Sequence, residues 1–278
     1  MKTAIGLAPF HDETEIGEAI ELAGRSGFDA VELTLAGQGP FSFTTPQDDC
    51  RRLAARIREA GLDVSAVSLG SSVEPAFAAQ DAAVSPAACE RTVVALDVAR
   101  WIGTDVIIIA PNDLLEPGSP ASPVGYADRW ASALEAMVAL REDTEQRAVR
   151  IACHHLPGGF LLSPLEARAF IDQVNSPWIG LCLNVGATMC YGHPQDWLRT
   201  LGHRVTHIYF TDVKLQCAQN TASIVAGASA AHAPLGDGDV DWQAVRTAIR
   251  DVRYEGPATC IASAPSPDAH RRLESIIG

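Results

Sequence analysis

Residues 179–187 read IGLCLNVGA, and this stretch decides how the chain is read. Apolar residues run to Leu183 and give way to one short polar side chain, Asn184. Cys182 and Asn184 lie two apart and so share a face, and Gly186 predicts a sharp turn away. A parallel barrel strand ends in this way when its last inward residue faces a ligand pocket. Asn supplies an amide donor and acceptor there, without charge.

Outward from this stretch, strand-like runs alternate with amphipathic helical runs along the whole chain. Strands are expected at 3–8, 28–35, 62–69, 105–110, 149–154, 178–184, 205–210 and 257–262. Helices follow from Glu13, Thr45-Pro46, Ser85-Pro86, Val124, Ser163-Pro164, Pro194, Asp241 and Pro267, with Asp12, Thr45, Ser163 and Asp241 as predicted caps. The fourth helix is expected to run unbroken to about Gln146. Residues 70–84 and 112–123 read as loops, the former with a short helical piece. The long small-residue stretch from Thr211 to Asp239 reads as irregular, a potential lid. Eight βα units with no interruption long enough for a second domain predict a single (β/α)8 TIM barrel over residues 1–278. No G-x-G-x-x-G follows the first strand, which disfavours an open dinucleotide-binding sheet.

Composition agrees. A chain of 278 residues, 47% hydrophobic, is ample for one large core. No run of eighteen apolar residues exists, and the N-terminus lacks a signal-peptide pattern, so a cytoplasmic protein with no membrane partner is expected. Seven cysteines without a C-x-x-C read as buried free thiols. The net charge of −13, with Lys2 and Lys214 the only lysines, opposes nucleic acid as a partner and favours a small molecule. There is no Walker loop, G-x-S-x-G elbow or H-E-x-x-H.

The stretch around Asn184, together with VTHIYFTDV at 205–213 and PLGDGDVDW at 234–242, resembles the xylose isomerase-like TIM-barrel superfamily of sugar isomerases and epimerases. The family's sixth strand ends Asp-x-Gly-His; here the frame reads Asn184-Val185-Gly186-Ala187. The resemblance implies a divalent metal held by a Glu, an Asp, a His and a Glu from strands five to eight. Carried over by position, those places fall to His154, Asn184, Tyr209 and Ile261, with Thr211 at the family's Lys. A slip of one residue places Cys153 or Ala262 at the carboxylate positions and restores neither. Hard divalent cations are held largely by anionic oxygens. The expectation is therefore no metal and no cofactor.

What remains is a set of proton-handling groups. His154, Tyr209 and Asn184 are the candidate catalytic residues; Glu32, His155, His207, Asp212 and His11 are the candidate substrate-binding residues. An imidazole near neutrality with a phenol suits proton abstraction beside a carbonyl, and hence isomerisation, epimerisation or β-elimination on a sugar-like small molecule. The other reading is an inactive barrel that binds a ligand or serves as a partner subunit, with a homo-oligomer left open.

Overall fold

The computed structural model describes residues 1–7, 12–69, 80–111, 115–117, 125–154, 160–215, 230–262 and 264–278. Eight parallel strands close a barrel: β1 (Thr3–Leu7), β2 (Ala30–Leu35), β3 (Asp63–Leu69), β4 (Val106–Ile109), β5 (Arg150–His154), β6 (Ile179–Asn184), β7 (Val205–Phe210) and β8 (Ala258–Ile261). Closure comes from β1 pairing with β8, where Gly6 stands opposite Ile261. That approach is close, since a Cβ on Gly6 would lie 2.6 Å from Ile261 Cδ1. Helices separate consecutive strands throughout, the (β/α)8 arrangement that the alternation predicts.

The two faces of each strand divide the core. Ala66, Val106, Ile108, Ala152, Cys182 and Tyr209 form a cluster inside the barrel. Their neighbours in sequence, among them Val67, Ile107, Ile151, Leu181 and Ile208, pack in a larger core shared with the helices. The continuous apolar run at β4 follows from this, because both of its faces are buried. All six cysteines among the described residues are free thiols.

Caps position the helices over the strand ends. Asp12 accepts the N–H groups of Thr14 and Glu15, and Asp241 accepts that of Ala244. Ser163 and Glu166 make a reciprocal capping box. Thr45 does not cap its helix. Pro46 occupies the cap of Gln47–Glu59, and the Thr45 hydroxyl instead accepts the Ser42 N–H at 2.8 Å. The fourth helix is broken at Leu140 into Tyr126–Ala139 and Arg141–Arg147, a kink that an apolar stripe does not report.

Two segments read as loops are strands. Gln80–Val84 pairs antiparallel with Leu115–Pro117. Beyond β7, Asp212–Leu215 pairs antiparallel with Ala230–Ala233, so the flanks of the supposedly irregular stretch are ordered. Residues 216–229, where a lid was expected, lie outside the described residues.

Candidate active site

The barrel's interior alternation brings four of the expected residues together. Glu32, on β2, is 3% exposed. The Tyr209 hydroxyl donates to Glu32 Oε1 at 2.7 Å, and His207 Nε2 lies 3.3 Å from Glu32 Oε2. His207 is fully buried and two residues before Tyr209 on β7, hence one inward position deeper. The His154 ring meets Tyr209 edge-on at 5.4 Å, and His207 does so from its side at 5.3 Å. His154 is half-buried at the end of β5 and is the most exposed member of this group.

Burial first, and then the Glu32 carboxylate, hold the Tyr209 phenol well above its ordinary pKa. The phenol therefore stays protonated, with its proton committed to Glu32, and a phenolate base is not accessible there. A hydrogen bond from Ser68 acts in the opposite sense. Ser68 was not singled out from sequence, although its place two residues after inward-facing Ala66 marks it as lining the barrel. Burial, followed by the Glu32 carboxylate, also pushes the Cys182 thiol well up. Cys182 is an inert wall and not a thiolate.

Asn184 and Asp212 are taken up by the backbone around them. Asn184 Oδ1 accepts the Ala187 N–H at 3.0 Å and the Thr211 hydroxyl at 2.5 Å, which caps a single helical turn at Val185–Thr188. Gly186 is part of that turn and is not required for its φ. Its N–H donates to Thr211 Oγ1 at 2.9 Å, and a Cβ there would lie 2.6 Å from the same oxygen. Gly186→Ala should thus cost about 1–3 kcal/mol through overpacking, read by urea denaturation. A loss near zero would show that Thr211 can withdraw freely.

Asp212 is 2% exposed, and its two oxygens receive five donors. These are the N–H groups of Val213, Gly236, Gly238 and Val240 and the Trp242 indole, at 2.8 to 3.3 Å. The expected substrate contact of Asp212 gives way to a structural one, because its acceptor capacity is already filled by the PLGDGDVDW turn. His11 and His155 lie outside the described residues.

A model of the xylose isomerase-like TIM barrel matches residues 20–276. The chain belongs to the xylose isomerase-like TIM barrel family. Among curated proteins it is 26% identical over 202 residues to 2-epi-5-epi-valiolone 7-phosphate 2-epimerase of Actinoplanes sp., covering 72% of this chain and 68% of that one. It is 23% identical over 243 residues to the putative L-ribulose-5-phosphate 3-epimerase SgbU of Escherichia coli, covering 86% and 80%. Among solved structures, a D-tagatose 3-epimerase-like protein superposes with TM-score 0.75 at 15% identity, covering 99% of this chain and 96% of the other. A D-psicose 3-epimerase does so with TM-score 0.73 at 16% identity, covering 100% and 96%. These structural likenesses establish the fold.

The residues that the resemblance assigns to the family's ligand positions do not suit a hard divalent cation. Asn184 has its oxygen committed to two donors, Tyr209 is a protonated phenol turned to Glu32, and Ile261 is apolar. Among the described residues no three of His, Cys, Asp or Glu are grouped to hold a metal ion.

Proposed function

We propose that this family member carries out metal-independent proton transfer on a sugar-like small molecule, by isomerisation, epimerisation or β-elimination beside a carbonyl. The observation that supports it most is the placement of His154. It stands at the end of β5, half-exposed, against a buried Tyr209–Glu32–His207 cluster. Burying a carboxylate and an imidazole inside a barrel is unfavourable unless the groups serve one another or the chemistry above them.

His154 takes the proton from the carbon next to the carbonyl and leaves an enediolate. Returning that proton to the adjacent carbon, while the hydroxyl proton passes between the two oxygens, isomerises the sugar. Epimerisation takes a proton from solvent on the opposite face of the original carbon, with His154 releasing its own to solvent. Elimination expels the β-hydroxyl, which leaves as water with the proton from His154. Tyr209, held by Glu32, is a positioning residue that fixes the imidazole's orientation through their edge-on contact.

The test is isotope wash-in. Protein treated with chelator and incubated in D2O with a panel of ketoses and aldoses should place deuterium at the carbon beside the carbonyl of its substrate. A bound sugar that acquires no deuterium would remove the catalytic reading.

One observation favours a second reading, that of an inactive barrel docking a partner or another copy of itself. Tyr126, Leu162, Leu165, Tyr191, Leu215 and Ile261 are exposed large apolar residues. Leu162, Tyr191 and Leu215 lie between a barrel strand and the helix after it, Tyr126 and Leu165 in the first turn of such a helix, and Ile261 ends β8. Apolar residues gathered at one end of a barrel suit a covered surface.

A further inference from the structure

We infer that a cavity at the N-terminal end of the barrel, opposite to the end that carries His154, binds a small oxyanion, a phosphate or a carboxylate. In a TIM barrel that end ordinarily serves stability, and ligands take the other. The cavity measures about 420 Å³, and Ser65, Arg150, His203, Thr206, Arg253 and Tyr254 are among the residues around it. Arg150 begins β5, and His203 and Tyr254 stand just before β7 and β8. The cavity shares no residue with the Glu32–His207–Tyr209 cluster and stands apart from the proposed sugar site.

Two of its hydroxyls are there because the strands slip in register. Val31 pairs with Val64 but Glu32 with Ala66, which leaves Ser65 as an extra residue in β3. Leu181 pairs with Val205 but Cys182 with His207, which leaves Thr206 as an extra residue in β7. A bulge of this kind interrupts the alternation and re-aims one side chain. Ser65 Oγ is buried at the cavity with no hydrogen-bond partner. A hydroxyl so placed forfeits its hydration unless a group in the cavity accepts from it.

Arg253 is the second observation. It follows the helix Trp242–Asp251 with φ 54°, the left-handed conformation that glycine ordinarily supplies after a helix. The chain thus keeps a guanidinium where the backbone favours glycine. Arg250, in the last turn of that helix, already complements the helix dipole, so Arg253 is not needed for it. No ion pair engages Arg253 among the described residues. Guanidinium and hydroxyl donors around one space suit an oxyanion with several acceptor oxygens. Two carboxylates also line the cavity. Arg150 holds Asp105 at 2.7 Å, and Glu255 is exposed, with room to turn to solvent. Tyr254 adds no negative charge, because burial pushes its phenol pKa far up and its hydroxyl donates to the Pro257 carbonyl at 2.9 Å.

The experiment is a titration of isotope-labelled protein with sodium phosphate and, separately, sodium acetate, read by backbone amide shifts in NMR at matched ionic strength. At least one of the two anions should shift Ser65, Thr206 and Tyr254 saturably while Glu32 and His154 stay in place. The anion that does so identifies the oxyanion, and sodium chloride should have no such effect. Arg253→Gly should bind ~10-fold or more weakly, as expected for loss of one charge-assisted contact. Its melting temperature should hold or rise, since glycine suits φ 54°. Ser65→Ala should also weaken binding without lowering the melting temperature. No saturable shift with either anion overturns the inference. Shifts confined to the mouth, equal shifts with chloride, or an affinity unchanged in Arg253→Gly overturn it as well.

Discussion

Replacing His154 with Ala should lower turnover roughly 10²–10⁴-fold, the range expected for loss of a general base. The fold should be little affected, because His154 is half-exposed at a strand end and Glu32 retains both Tyr209 and His207. The loss should fall mainly on kcat, since the imidazole acts on a proton and does not anchor the polyol. Steady-state kinetics alongside urea denaturation separates the two effects. A variant that keeps its stability and more than about half its turnover would assign the base to another residue. A variant that loses both together would make His154 a structural group.

Replacing Asp212 with Ala should cost about 3–5 kcal/mol of stability, the largest structural loss expected of any substitution at the C-terminal end of the barrel. Four backbone N–H groups and the Trp242 indole would lose their shared acceptor in a site 2% exposed to solvent. Buried donors left without partners forfeit their hydration with no return. Asp212→Asn should recover only part of this, because its amide group turns a donor toward donors. Denaturant midpoints measure it. A loss below about 1 kcal/mol would mean that water replaces the carboxylate and that the turn after β7 holds by other contacts.

The barrel was legible in the sequence because its signals are local. Asp12, Ser163 and Asp241 stand directly before amphipathic runs, and continuous or alternating apolar stretches mark the strands between them. Thr45 shows where local reading fails. The residue was a suitable cap, but Pro46 takes that position and Thr45 closes a tight turn with Ser42. The convergence of Glu32, His207 and Tyr209 was readable as a list of inward residues, but not as a buried group in which Tyr209 donates to Glu32 and His207 lies beside it. Glu32 and Tyr209 are 177 residues apart, and only barrel closure sets their distance. Asn184 and Asp212 were the reverse case. Their residue types suggested contact with a ligand, while they accept from the chain's own donors, one to thirty residues away. Sequence shows that a carboxylate is present and not which donors reach it first.

Metal content measured together with chelation is the most direct check on metal-independent chemistry at His154. Elemental analysis of purified, active protein should find no stoichiometric divalent metal, and turnover should survive prolonged treatment with EDTA. Asn184→Asp should add neither metal nor rate, since one carboxylate beside Tyr209 and Ile261 falls short of a hard-cation site. One Mn, Zn or Fe per chain, with turnover abolished by chelation and restored by that metal, would contradict the account.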